Sequence, residues 1–121
     1  MSGRAADERG RWGEEQVARE LERRGYTILE RRYRSRYGEI DLIAEDEAFL
    51  VFVEVKFRSS CVFVSGLEAV DARKQRRLRQ TAELYLSACP PTGKQPRFDV
   101  VEVCPADEAG RAAITYIENA F

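Results

Sequence analysis

The segment Val51-Phe52-Val53-Glu54-Val55-Lys56 constrains the fold more than any other part of the chain. It is a run of β-forming residues that carries a carboxylate and an ammonium at alternate positions. Because successive side chains of a strand point to opposite faces, Glu54 and Lys56 share one face with Phe52, and the valines share the other. The segment therefore predicts a strand from which a carboxylate and an ammonium project together out of an apolar run.

A second β-forming run, 39–44, precedes this strand, and the acidic segment 45–48 separates the two. This pattern predicts a β-hairpin. With a four-residue turn, Asp41 would face Phe52 and would lie on the same side as Glu54, one diagonal away. The hairpin therefore predicts two carboxylates and one lysine close together.

The remaining elements follow from periodicity and from turn residues. Apolar residues at helical spacing predict helices over 7–24 and 68–89, and β-forming runs predict strands over 26–29, 49–57 and 97–103. The arginine-rich segment 30–36 is interpreted as a basic loop or strand end that follows the first strand, and 114–121 as a short terminal strand or tail. The order αβββαβ, with one more strand as an option, predicts an α/β fold with a mixed sheet flanked by helices. A length of 121 residues suits a single domain, 1–121.

Composition excludes several kinds of chemistry. The chain has no histidine, so Ser-His-Asp triads, imidazole bases and histidine metal sites are ruled out. The cysteines, Cys61, Cys89 and Cys104, are odd in number and form no CxxC pair, which argues against a disulfide framework or a zinc site and favours free thiols. The polar N-terminus lacks a signal-peptide core, and no stretch approaches a membrane span. We therefore expect a cytoplasmic protein with no membrane partner.

A metal ion is one way to hold the two hairpin carboxylates close together while both are ionised. Oxygen ligands of this kind suit Mg²⁺ or Mn²⁺. Glu14 is a third candidate, because it shares the inward-facing apolar stripe of the first helix with Val17 and Leu21. The structural alternatives are a solvated strand face for Glu54 and Lys56, and a favourable helix-dipole position for Glu14.

Two local basic clusters stand out in a chain whose net charge is only −1. The first interleaves with Tyr33 and Tyr37, and the second begins the second helix. Arginines beside aromatic residues suit phosphate contact and base stacking, while a solubilising surface is the alternative. The candidate nucleic-acid-binding residues are Arg31, Arg32, Arg34 and Arg36 in the first cluster, and Arg73, Lys74, Arg76 and Arg77 in the second.

Several segments together resemble the YraN-like family of small bacterial proteins, in the same order and over nearly the whole chain. They include Gly10-Arg11-Trp12-Gly13-Glu14, Gly38-Glu39-Ile40-Asp41-Leu42-Ile43, the strand 51–56, Arg97-Phe98-Asp99-Val100-Val101 and Ile117-Glu118-Asn119-Ala120-Phe121. That family is similar to the PD-(D/E)XK, or restriction-endonuclease-like, nuclease superfamily, with archaeal Holliday junction resolvases among its nearest lookalikes. The resemblance implies a restriction-endonuclease-like αβββαβ core.

The resemblance also implies a site and a reaction. The implied catalytic residues are Asp41, Glu54, Lys56 and Glu14, and the implied ligands of Mg²⁺ or Mn²⁺ are Asp41, Glu54, Glu14 and the main-chain carbonyl of Val55. Ile40 stands where the superfamily's name has proline. The implied function is metal-dependent endonucleolytic hydrolysis of DNA phosphodiester bonds, with a preference for branched or junction DNA. A homodimer fits by analogy, since junction-cutting proteins need two sites.

Two other functions stay open from the sequence. One is a non-enzymatic nucleic-acid-binding module with a vestigial nuclease site. The other is a protein-interaction domain whose basic helix meets an acidic partner. Dependence of cleavage on a divalent cation separates the nuclease from both.

Overall fold

The computed structural model describes residues 3–59 and 70–121, with the backbone alone in residues 3–7. In chain order, the described residues form helix α1 (Gly3–Arg23), strands β1 (Thr27–Ser35), β2 (Gly38–Glu45) and β3 (Phe49–Phe57), helix α2 (Ala72–Ala88), and strands β4 (Gln95–Pro105) and β5 (Ala112–Ile117). The α/β class and the αβββαβ order are confirmed, and β5 is the further strand. Neither helix of this described part is long and apolar enough to cross a membrane.

The five strands form one mixed sheet in the order β1-β2-β3-β4-β5. β1 and β2, β2 and β3, and β4 and β5 pair antiparallel, whereas β3 and β4 pair parallel. A parallel pair needs a long crossover, and the connection from β3 to β4 contains α2. This crossover brings the beginning of α2 near the end of β3.

Two apolar layers cover the sheet, one on each face. Val51 and Val53 of β3 pack in the layer of α1, and Phe52 packs in the layer of α2. Strand alternation then assigns Glu54 and Lys56 to the α2 face. The α1 layer includes Val17, Ala18, Leu21, Leu42 and Val101, and the α2 layer includes Ile40, Ile43, Leu78, Ala82, Tyr85 and Val100. The two charged side chains of β3 therefore face the helix that carries the second basic cluster.

The structure decides between the two interpretations of the arginine-rich segment, because residues 30–35 continue strand β1. Its pairing with β2 continues to Ser35 opposite Gly38, at the tight turn between the two strands. Tyr33 packs edge-to-face on Tyr85 of α2, with ring centroids 5.1 Å apart. Cross-strand pairing and aromatic burial thus outweigh the polar character of the segment.

The second helix begins at a side-chain cap. Asp71 precedes α2, and its carboxylate accepts the backbone N–H of Lys74 at 2.9 Å. This is the usual role of aspartate at a helix N-terminus. The helix ends at Ala88, just before Cys89 and the prolines that follow, close to the predicted end. The predicted start at Glu68 lies outside the described residues.

The cysteines differ in part from the expectation of free thiols. Cys89 is free. Cys104, which is fully buried in β4, is disulfide-bonded, and its partner falls outside the described residues. The expectation is therefore wrong for Cys104, because wide separation in sequence does not prevent two cysteines from meeting in the fold.

Asp99 of β4 anchors the C-terminal segment from a fully buried position. Its carboxylate accepts hydrogen bonds from Arg97 Nε and Nη2 at 2.9 and 2.8 Å, from the Tyr116 hydroxyl at 2.6 Å and from the Asn119 backbone N–H at 2.9 Å. Burial lowers the pKa of the Arg97 guanidinium, but its hydrogen bonds to Asp99 and Tyr26 outweigh burial and raise it. The buried pair of Asp99 and Arg97 ties β4 to the chain end.

Candidate active site

The register of the β2–β3 hairpin brings the two predicted carboxylates closer than the sequence indicated. Leu42 pairs with Val53, and the same register continued by one residue sets Asp41 opposite Glu54. The expected register, with Asp41 facing Phe52, is wrong by two residues. The two carboxylates are direct cross-strand neighbours instead of diagonal ones.

The turn of the hairpin explains this shift. The Asp46 carboxylate accepts the backbone N–H groups of Ala48 and Phe49 at 3.0 and 2.8 Å, and the Asp46 N–H donates to the Phe49 carbonyl at 3.1 Å. An aspartate that folds back on its own turn in this way fixes the turn position. The closing pair is consequently Glu45 with Leu50.

Asp41 lies where the two strands of the hairpin part. The observed ladder between β2 and β3 begins at Leu42 opposite Val53. Beyond it, the Asp41 carboxylate accepts the backbone N–H of Val55 at 2.8 Å. The Asp41 side chain thus accepts a backbone hydrogen bond from β3 in place of a backbone carbonyl of β2. A carboxylate is held at the opening of the hairpin by the main chain of the neighbouring strand.

Glu54 is buried and is the centre of the charge cluster. Its side chain is only 5% exposed, and Lys56 Nζ lies 3.5 Å from its Oε2 atom. Lys74 Nζ, from the first turn of α2, contacts the same oxygen. Two ammonium groups from different elements therefore converge on one carboxylate.

Burial and the charges of the cluster act on the pKa values of Asp41 and Lys74. The pKa of Asp41 is raised to about 8, by burial first and then by the negative charge of Glu54, against the opposing hydrogen bond from Val55. Burial lowers the pKa of Lys74, but its hydrogen bond to Glu54 and the charge of that carboxylate outweigh burial and raise it. The two ammonium groups therefore neutralise mainly Glu54, and Asp41 receives less of their positive charge.

The raised pKa of Asp41 has a consequence for stability in metal-free buffer. The folded chain holds the Asp41 proton up to about pH 8, whereas an ordinary aspartate releases it near 3.8. The folded state thus binds more protons between these values, and the free energy of unfolding should fall as pH rises, by at most about 1.4 kcal/mol per pH unit. Urea unfolding with chelator between about pH 5 and pH 8 measures this slope. Asp41→Asn, which does not titrate, should flatten it, and equal slopes for both proteins would contradict the assignment.

A cleft of about 610 Å³ opens over this cluster. The hydroxyls of Ser35 and Thr81 are hydrogen-bonded at 2.9 Å and tie the β1–β2 turn to α2 at one side of it. The lining residues are Tyr37, Gly38, Glu39, Asp41, Glu54, Val55, Lys56, Asp71, Arg73, Lys74, Arg77 and Leu78. The cleft therefore combines the carboxylates and lysines with arginines of the second basic cluster.

The second basic cluster divides between the cleft and the outer surface. Arg73, Lys74 and Arg77 line the cleft. Arg76 is exposed and does not belong to the lining that the described residues form. The helical spacing of α2 explains the division, since Arg77 lies between Arg73 and Lys74 on one side of the helix, whereas Arg76 lies beyond the flank of that side.

The first basic cluster is largely paired within the protein. Arg31 Nη1 lies 2.9 Å from Glu15, Arg32 Nε lies 2.8 Å from Glu14, and Arg34 Nε lies 3.3 Å from Glu39. Arg36 lies over the ring of Tyr37, 4.9 Å from its centroid. Acidic partners thus offset much of the positive charge that the sequence pattern indicated.

Glu14 is close to the cluster but is held by an arginine. Its charge contributes to the raised pKa of Asp41, after burial and Glu54. Its Oε1 atom accepts a hydrogen bond from Arg32 at 2.8 Å, and it is absent from the described cleft lining. The role of Glu14 as a metal ligand therefore stays a prediction.

Two charged residues lie near the site through contacts that the local sequence does not show. Lys74 was predicted to bind nucleic acid, and its contact with Glu54 was missed. Glu102 of β4 is fully buried, lies beside Lys56 in the parallel register, and has no hydrogen-bond partner for either oxygen within the described chain. For Glu102, the sequence contained one signal, a charged residue inside the β-forming run Val100-Val101-Glu102-Val103.

The donor set determines what kind of cation this site could hold. Residues 3–59 and 70–121 contain no group of three or more acidic or cysteine side chains that could bind a metal ion. Mg²⁺ commonly uses one or two carboxylates together with water and substrate phosphates. The pair Asp41 and Glu54, with the Asp41 pKa raised by burial and by its neighbour, fits such a cation better than it fits a tightly held structural metal.

Fold and site together define an α/β domain with a carboxylate–lysine cleft at the open end of a β-hairpin. Residues 13–103 match the model of the uncharacterised protein family UPF0102. A UPF0102 protein of Syntrophomonas wolfei is 46% identical over 114 residues, which cover 94% of this chain and 97% of the relative. Relatives from Symbiobacterium thermophilum and Frankia alni are 49% and 43% identical, over 93% and 100% of this chain and 94% and 100% of theirs.

The chain belongs to the UPF0102 family, which is the YraN family of the sequence resemblance.

Proposed function

We propose that this protein is a metal-dependent endonuclease that hydrolyses DNA phosphodiester bonds. The observation that carries the proposal is the pair of half-buried Asp41 and buried Glu54 in an arginine-lined cleft, where two lysines contact Glu54. Two neighbouring carboxylates repel each other and raise the pKa of one of them, and perturbed pKa values of this kind cluster at functional sites. A divalent cation held by the carboxylates, together with an anionic substrate held by the lysines and arginines, would account for the negative and the positive side chains of the cleft.

Each residue of the cluster has a distinct role in this proposal. A divalent cation, when bound, supplies charge neutralisation at the phosphate and activation of water. Asp41 and Glu54 hold that cation, and the Val55 N–H keeps the Asp41 carboxylate directed to the hairpin opening. Lys56 orients the attacking water or stabilises the charge that develops on the phosphate. The buried position of Glu54 strengthens these interactions because little water competes there.

The basic residues of α2 supply the contacts to the DNA backbone. Arg73 and Arg77 line the cleft, whereas Arg31 and Arg32 are paired with carboxylates. We assign the phosphate contacts mainly to the α2 cluster for this reason. Contacts to phosphates carry no base code, so the enzyme should select DNA by shape, with branched or four-way-junction DNA preferred.

Cleavage assays test the proposed function directly. We expect the purified chain to cut labelled four-way-junction or flap DNA in Mg²⁺ or Mn²⁺, to cut linear duplex or single strands less, and to cut nothing in chelator. Electrophoresis of the products measures this. Binding that is equal with and without metal, and with no cutting, would replace the enzyme by a nucleic-acid-binding module. Absence of both binding and cutting would favour a protein-interaction domain.

A further inference from the structure

We propose that Lys74 is a displaceable counter-ion of the active site. It neutralises Glu54 while no divalent cation is bound, and it yields this carboxylate to the cation and moves to a substrate phosphate. This inference rests on the proposed function and assigns to Lys74 a second role besides the predicted contact with nucleic acid.

The first observation is that the two ammonium groups share one oxygen. Lys56 Nζ and Lys74 Nζ both lie against Glu54 Oε2. A cation between Asp41 and Glu54 would sit next to both ammonium groups, and like charges at contact distance repel. At least one ammonium has to withdraw for the cation to bind well.

The second observation is that Lys56 and Lys74 differ in how easily their ammonium groups can move away from Glu54. Lys56 belongs to β3, and its side chain is 25% exposed. Lys74 lies in the first turn of α2, and its side chain is 43% exposed. The Asp71 cap holds only the backbone N–H of Lys74. The flexible four-carbon stem of Lys74 is therefore the one that can swing towards solvent.

The third observation is the place that the withdrawing ammonium would reach. Arg73 and Arg77 flank Lys74 along the cleft. These arginines are the groups assigned to phosphate contact. An ammonium that leaves Glu54 thus joins a cationic surface, where a bound phosphate gives it a new partner. At Glu54 a cation of charge +2 would replace an ammonium of charge +1, and the displaced ammonium would keep its own charge beside the phosphate.

Metal binding by variants of the full chain tests this inference. Titration calorimetry with Mn²⁺ alone should show binding to Lys74→Met roughly tenfold tighter than to the wild type, because one competing unit charge is removed. Arg73→Met is the matched control: it removes a positive charge from the same helical turn and the same cleft, and its Mn²⁺ affinity should change less than about twofold.

A second variant, Lys74→Gln, keeps the inference testable if Lys74→Met does not fold. Lys74→Gln keeps a hydrogen-bond donor for Glu54 without the charge, and it should also bind Mn²⁺ more tightly. Thermal melts add an independent readout: both variants should gain more stability from Mn²⁺ than the wild type gains.

Three outcomes separate this inference from the proposed function. Equal or weaker Mn²⁺ binding by both Lys74 variants, with binding by the wild type, overturns the counter-ion role alone. Tighter binding that Arg73→Met reproduces also overturns it, because general cleft charge would then explain the effect. Absence of Mn²⁺ binding in the wild type and in all variants overturns this inference and the metal-dependent function together.

Discussion

Glu54→Gln should lower Mg²⁺-dependent DNA cleavage by roughly 1000-fold or more. The substitution keeps the size of the side chain and removes the buried negative charge that Lys56 and Lys74 contact. An amide is a poor ligand for a divalent cation, so Asp41 would have to hold it alone. Loss of an electrostatic group that acts in the transition state costs this order of magnitude in rate. Single-turnover cleavage of labelled junction DNA measures the effect.

Glu47→Gln is the matched control for this substitution. Glu47 is an exposed glutamate in the turn of the same hairpin, at the end away from the cleft. Its rate should stay within about twofold of the wild-type rate. Circular dichroism of both variants checks that the fold is intact. A Glu54→Gln protein that is folded and cuts at the wild-type rate would remove Glu54 from the mechanism.

Asp99→Ala should lower the free energy of unfolding by about 3–5 kcal/mol. The change leaves the Arg97 guanidinium, 9% exposed, without its close carboxylate partner, and the remaining carboxylate, Glu118, lies 3.9 Å away and is 58% exposed. A buried charge that loses its partner is strongly destabilising. The Tyr116 hydroxyl and the Asn119 N–H lose their acceptor at the same time. Urea unfolding followed by circular dichroism measures the change.

Two companion variants make this result specific. Asp107→Ala removes an ion pair with Arg111, whose side chain is 81% exposed, and two turn hydrogen bonds from the Ala109 and Arg111 N–H groups, and it should cost about 1–2 kcal/mol. Tyr116→Phe removes one hydrogen bond to Asp99 and should cost about 1–2 kcal/mol. Similar unfolding midpoints for Asp99→Ala and Asp107→Ala would show that the buried pair contributes little.

The elements of the fold could be predicted from local pattern. The helical stripe with Val17 and Leu21 indicated α1, and alternation along 51–56 indicated β3 and the shared face of Glu54 and Lys56. Both patterns depend on side-chain period, which neighbouring residues define by themselves. The sequence left a basic loop and a strand end both open for the segment 30–36, because its strand character comes from pairing with β2, and a partner strand is not a local property.

The details of the site depended on contacts between distant residues. The sequence by itself determined that Glu54 and Lys56 project together, that Asp41 is near them, and that any acid–base chemistry works without histidine. Only the tertiary structure decided that Asp41 stands directly opposite Glu54, because the Asp46 side chain sets the turn. The tertiary structure also decided with which carboxylates the basic side chains pair. The crossover of α2 brings Lys74 onto Glu54, and packing of α1 against β1 pairs Arg31 and Arg32 with glutamates. Charge pairing across the fold follows from distance in space, which no periodicity along the chain encodes.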